Sequence, residues 1–119
     1  MSDLLPVLDP RPLQDLLDMG AEPGLVQELI DLLKEDVPPR LVSLRKALEA
    51  SDEASALQEA HQLKGALGNL GLQRFADLAR CIEEHVRGGR WESARSLAQG
   101  LPAAYEEALA TLRSAFPEA

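Results

Sequence analysis

The sequence predicts an all-α fold, an antiparallel four-helix bundle with a short additional N-terminal helix. Three observations carry that expectation. Aromatic residues make up only 3% of the chain, so the interior must be built from Leu, Ala, Val and Ile, a composition that suits helices better than a sheet. Apolar residues recur at helical spacing through most of the chain. The breaks between these stretches carry Gly, Pro or Ser-Asp. At 119 residues the chain can bury one core, so it reads as a single domain over 1–119.

Residues 1–8 read as a loose lead-in. Asp9 can cap a first short helix, with Pro10 at its first position, Leu13, Leu16 and Leu17 inward and Gly20 at its end. A second helix starts near Glu22-Pro23, with Leu25, Val26, Leu29, Ile30, Leu32 and Leu33 as its apolar positions. The pair Pro38-Pro39 removes two donors and predicts a kink or short break near 35–37. The pattern resumes at Leu41, Leu44, Ala47 and Leu48, so residues 23–50 read as two collinear pieces.

The third helix is expected from Glu53 to Asn69, with Ala56, Ala60, Leu63, Leu67 and Leu70 in one stripe and Gly71 in the turn that follows. The fourth covers Gln73 to Val86, with Phe75, Leu78, Ala79, Ile82 and Val86 inward, and ends at Gly88-Gly89. The last covers Trp91 to Ala115 and carries Tyr105, Leu109, Leu112 and Phe116. Gly100 and Pro102 predict either a kink or a true break within it. There is no repeat and no low-complexity segment.

A net charge of -8 argues against non-specific binding to nucleic acid or an anionic membrane. The lone Cys81 allows no internal disulfide and suits a reducing compartment. The N-terminus lacks the basic and apolar regions of a signal peptide, and no window approaches a membrane span. A cytoplasmic protein is expected. No long heptad seam is visible beyond the needs of the bundle, so a monomer is expected.

The run from Ala60 to Gly71 carries the chemistry. Taking 100° per residue from Ala56, Lys64 lies at about 80°, Gly68 at about 120°, His61 at about 140° and Gly65 at about 180°. These four residues form a face well off the core. Each glycine costs a helix interior roughly 1 kcal/mol against alanine, so two within four positions mark a place of close approach. Either a neighbouring helix packs there or a partner protein lays its own site over His61. Lys64, one turn beyond His61, can set an ammonium beside a phosphoryl oxygen, and neutral imidazole is a competent nucleophile. The sequence carries no glycine-rich phosphate loop and no clear magnesium site, so further chemistry must come from a partner.

The run His61-Gln62-Leu63-Lys64-Gly65-Ala66-Leu67-Gly68-Asn69-Leu70-Gly71 resembles the signature of histidine-containing phosphotransfer (HPt) domains. The likeness extends through Leu72-Gln73-Arg74-Phe75, Leu78, Cys81 and Ile82 to Gly88-Gly89, over about residues 20–116. It implies a stand-alone carrier of a multistep two-component phosphorelay. Such a carrier accepts a phosphoryl group on His61 Nε2 from a receiver-domain aspartate and passes it to another receiver. On that resemblance Lys64 supports the phosphoryl group, Gly65 is the small residue that lets the receiver dock, and Asn69 and Gly71 end the helix. The partners implied are response-regulator receiver domains and a hybrid sensor histidine kinase. No cofactor is intrinsic, and a divalent metal such as magnesium comes with the receiver. The chain is then a carrier without kinase activity of its own. Gly68 departs from the family, which more often has alanine or serine there.

Several neighbours are assigned to docking beside Gly65 and Gly68. Gln62 borders His61, and Leu57 lies one turn before it, either exposed for docking or partly buried. Glu83 and Arg87 stand one turn apart on the fourth helix, either as a solvated pair or as groups brought near the histidine. His85 reads as a surface histidine, Cys81 as a small buried hydrophobe, Asn69 as a helix-end hydrogen bonder and Trp91 as a cover for the end of the bundle. Two other functions fit the same residues: a receiver-binding module without phosphotransfer, and a phosphoacceptor served directly by a separate histidine kinase.

Overall fold

A computed structural model describes residues 5–22 and 24–117. Six helices follow in order: α1 (Arg11–Asp18), α2 (Leu25–Glu49), α3 (Glu53–Asn69), α4 (Gln73–Arg87), α5 (Trp91–Ala98) and α6 (Leu101–Ala115). There is no strand among the described residues. The turns at 50–52, 70–72 and 88–90 are too short to do anything but reverse the chain, so α2, α3 and α4 run antiparallel to their neighbours. α5 and α6 together fill the fourth position of the bundle, and α1 lies outside it.

Local chemistry sets the ends of α3. Asp52 has extended backbone and its Oδ1 accepts the Ser55 amide at 3.2 Å, which caps the helix. The two bonds from Ser55 also hold the Asp52 carboxyl below its ordinary value. At the other end the amide of Leu72 reaches back to Leu67 O and that of Gly71 to Gly68 O, with Gly71 at φ +81°. α3 therefore begins and ends where the sequence places it.

α2 differs from expectation. Pro38 and Pro39 lie inside one continuous helix, so of the kink or short break expected near 35–37 the break does not form. The carbonyls of Lys34 and Glu35 lose their helical donors, but both residues are exposed and water can serve them. Meanwhile Leu33, Val37, Leu44 and Leu48 are buried on both sides of the prolines and hold the helix on its neighbours. The start expected at Glu22-Pro23 is observed at Leu25, behind the left-handed Gly24, and Pro23 is outside the described residues. In the last position the break wins over the kink. α5 ends at Ala98 and α6 opens at Leu101, which sets Pro102 in a first turn where no amide donor is needed.

The core joins Leu13 of α1 to Val26, Ile30, Leu44, Leu63, Leu67, Leu72, Phe75, Ile82 and Leu112, all 2% exposed or less. Phe75 meets Tyr105 with ring centroids 6.5 Å apart. Leu16, expected inward, is instead on the surface at 45% exposed, and so is Leu32, one of the apolar positions of α2, at 59%. The lead-in is not loose where it is described. Leu5 O accepts Arg74 Nε at 3.0 Å, Leu8 packs on the core, and the Asp9 amide donates to Gly71 O at 2.7 Å. Residues 1–4 lie outside the described residues. Asp9 accepts the Arg11 amide and pairs with its guanidinium, and these bonds hold its carboxyl at about 2.

A Cβ on Gly71 would lie 2.2 Å from Asp9 O, at a backbone angle that side chains rarely adopt. Gly71→Ala is expected to cost at least about 1 kcal/mol in urea unfolding. Native stability in that variant would contradict the seating of the N-terminal strap on this turn.

Candidate functional site

α3 carries His61 in mid-helix with its side chain 66% exposed. Beneath it, on α4, sits Glu83. Ala79, Ile82 and Val86 are buried around that residue, and Glu83 itself is only 2% exposed. A carboxylate cannot stay ionised in such a place without partners. Three surround it. Lys64 Nζ donates to Oε1 at 2.9 Å. Arg87 Nη2 donates to Oε2 at 3.3 Å. His61 Nδ1 lies 3.3 Å from the same Oε2. Burial pushes the Glu83 carboxyl up, but the bond from Lys64 and the charges of Lys64, Arg87 and His61 outweigh it and hold the group below its ordinary value.

The consequence reaches His61. A carboxylate facing Nδ1 favours the tautomer with the proton on that nitrogen. Nε2 is then left with its lone pair, on a ring that is largely in solvent. An imidazole so arranged is a nucleophile with a fixed tautomer. Lys64, one turn away and 33% exposed, holds its ammonium between the buried carboxylate and the histidine face.

Around His61 the surface is bare. A Cβ built on Gly65 or on Gly68 meets nothing within 4 Å. Of the two readings of these glycines, packing of a neighbouring helix is therefore excluded, because no helix lies against them. What they leave is open space one and two turns beyond His61. Towards α2, Gln62 is exposed and its Oε1 accepts from Arg40 Nη1, while Arg40 also pairs with Asp36 at 2.9 Å and Glu59 at 3.6 Å. Beyond Gly65, the exposed Ala66 borders a shallow groove of about 470 Å³ walled by Leu29, Leu32, Leu33 and Leu70. The exposed face thus runs from Arg87 and Lys64, across His61 and Gly65, to Leu32.

The structure gathers His61, Lys64, Glu83 and Arg87 into one cluster, with Gln62, Gly65 and Gly68 on the same exposed face. Two residues expected at the docking surface are buried or partly buried. Glu83 cannot meet a partner at 2% exposure and acts instead as the buried counter-charge of the cluster. Leu57 takes the second of its two readings, partly buried and packed on the core. Cys81 is half-buried rather than buried, with Sγ beside Arg80 and Asp77, and burial pushes its thiol up. His85 is also half-buried, with Nδ1 accepting Arg90 Nε at 2.8 Å. Trp91 opens α5 and packs on the core. Asn69 is exposed in the last turn of α3.

Reasoning from sequence missed the burial of Glu83, although its spacing from Ala79 and Val86 puts it on the apolar stripe of α4. It also missed Leu32 and Arg40, which matter only because α2 lies beside α3. Among the described residues no helix is long and apolar enough to cross a membrane, and no three His, Cys, Asp or Glu side chains converge as metal ligands.

Comparison with known proteins follows the same geometry. The Hpt domain family matches residues 28–115. No curated protein matches the sequence. Among solved structures the chain is similar to the crystal structure of histidine-containing phosphotransfer protein B (HptB) from Pseudomonas aeruginosa PAO1. The two are 28% identical with a TM-score of 0.80, over 92% of this chain and 93% of that one.

Because Glu83 is held below its unfolded value of 4.5, the unfolded chain binds the proton first as pH falls. The stability it contributes is therefore complete above that value and is lost as pH drops through the lower, folded one. Glu83→Gln should be less stable than native by about 1–3 kcal/mol at neutral pH, with the gap closing in acid. Urea titrations across that range measure it, and a gap that does not change with pH would refute the ionised, buried carboxylate.

Proposed function

The chain belongs to the Hpt domain family, and from that premise we propose that His61 is the residue through which it works. Hpt domains are phosphoryl carriers rather than autonomous enzymes, and the function of this chain is that of a phosphotransfer intermediate in a two-component relay. The observation that carries the assignment to His61 is the pairing of its Nδ1 with a buried carboxylate while the rest of the ring stands in open space.

In the proposed step Nε2 attacks the phosphorus of an acyl phosphate on a receiver aspartate. The N–P bond forms as the P–O bond to the aspartyl carbonyl carbon's oxygen breaks, and the electron pair leaves with the aspartate carboxylate. Nδ1 keeps its proton throughout, and Glu83 balances the positive charge that the ring gains. Transfer onward is the reverse of this step on a second receiver. Lys64 is placed to turn from Glu83 towards the phosphoryl oxygens, and Arg87 then remains with Glu83 as its counter-charge. Gly65 and Gly68 let the receiver bring its aspartate within bonding distance of Nε2. Ala66 and Leu32 extend the contact as an apolar strip on the α2 side.

Incubation with a phosphorylated receiver, and separately with a histidine kinase and ATP, tests the assignment through label that is labile in acid and stable in alkali. Native protein should take label from the receiver, and His61→Gln should take none; label retained in that variant would remove His61 from the reaction. Direct labelling by the kinase alone would place the donor elsewhere.

Gly65→Leu fills open space and removes a helix-weakening glycine, so its melting temperature should equal or exceed native while transfer from the receiver falls at least about tenfold, a barrier of about 1.4 kcal/mol. Undiminished transfer would contradict the close approach.

A further inference from the structure

A second concave surface lies between α2 and the α5–α6 pair. It has a volume of about 510 Å³, and its apolar lining includes Pro38, Leu41, Val42, Leu101, Pro102 and Tyr105. Both irregularities of the bundle therefore open onto it, through Pro38 of the α2 proline pair and through the break that precedes α6. Val42 is 41% exposed there, which an apolar residue on a packed helix face is not.

This surface is not the histidine face. Taking 100° per residue on α2, Leu41, Val42 and Arg45 fall within about 60° of Pro38, whereas Arg40, which reaches Gln62 of α3, lies about 160° away. A molecule in the groove leaves His61 open.

The groove is bipolar. At one end are Arg45 and Arg95; Arg95 donates to Leu48 O at 3.0 Å, which fixes it against the C-terminal part of α2. Because α5 and α6 run antiparallel to α2 and Arg95 is fixed at Leu48, the exposed Glu106, further along α6, falls towards the Pro38 end of the groove. Among the described residues no carboxylate pairs with Arg45 or Arg95, and no cation pairs with Glu106. From Pro38 to Arg45 the distance along α2 is about 10 Å, two helical turns. Two turns of an amphipathic helix present apolar anchors at i, i+3 and i+7 over that same length.

We propose that this groove binds an amphipathic helix of a partner protein, acidic at the end that meets Arg45 and Arg95 and basic at the end that meets Glu106. Its apolar stripe covers Val42 and Leu41. Because the groove and His61 face different ways, the carrier can be held by such a helix while a receiver occupies the histidine face.

The probe is a capped synthetic helix with leucines at i, i+3 and i+7, glutamates at one end and lysines at the other, followed by fluorescence anisotropy. Saturable binding is expected. Val42→Glu should weaken it at least about tenfold and Arg45→Glu at least about fivefold, and a twin peptide with lysines at both ends should also bind at least about fivefold more weakly. Both positions are exposed, so helix content and phosphoryl uptake at His61 should match native. Absence of saturable binding, or equal binding by native protein and both variants, overturns the proposal. So does sedimentation showing a native dimer that Val42→Glu dissociates, since the occupant is then a second copy of the chain.

Discussion

One buried negative charge organises the functional end of this bundle. Glu83 sits among the apolar side chains of α4, and an ionised carboxylate there would be intolerable alone. Lys64 and Arg87 make it tolerable, and His61 completes the ring of groups around it. The pairing crosses from α4 to α3, so it fixes the rotation of the helix that bears the nucleophile as well as the side chains themselves. A hydrophobic residue at position 83 could pack as well, but it would leave His61 without a group to choose its tautomer. The cluster is best understood as an arrangement that sacrifices ease of packing for a defined imidazole.

The surface above that charge is organised by omission. Gly65 and Gly68 weaken α3 and contribute nothing to packing within the chain, since no atom lies where their side chains would be. Leu32 is likewise a poor choice for a free surface. These features become economical only against a second protein, and they fit a carrier whose reaction is completed by whatever docks on it. In the proposed division of labour the chain supplies a nucleophile, a cation and access, and the partner supplies the activated phosphoryl group.

Much of this was legible in the sequence, and the failures have identifiable causes. α3 could be read to its ends because Asp52 and Gly71 act through local bonds. The His61 face could be read because periodicity alone separates it from the core. Leu32 was grouped with the apolar positions of α2 by its chemistry, although it lies about 120° from the stripe defined by Val26, Ile30, Leu33 and Val37. The continuity of α2 could not be read, because burial of Val37 and Leu44 outweighs the local penalty of two prolines. Arg40 reaches Gln62 across two helices, and no local pattern encodes such a contact. The burial of Glu83 was missed for a different reason: a charged residue on an apolar stripe is ordinarily discounted, yet here it is the most informative residue on the helix.

The strap at the N-terminus gives the site an unexpected dependence. Asp9 is bonded to Gly71, in the turn that closes α3, and Leu13 is sealed into the core beside it. The last turns of α3 hold two glycines and so have little intrinsic tendency to stay wound. They are held by the burial of Leu63 and Leu67 in the core and, through the turn that follows, by the strap from the opposite end of the chain. Amides from Gly65 to Leu70 should therefore exchange with solvent in the same cooperative opening that releases residues 5–13. The helix that bears His61 and the first helix are thereby joined through one turn, although more than fifty residues of sequence separate them.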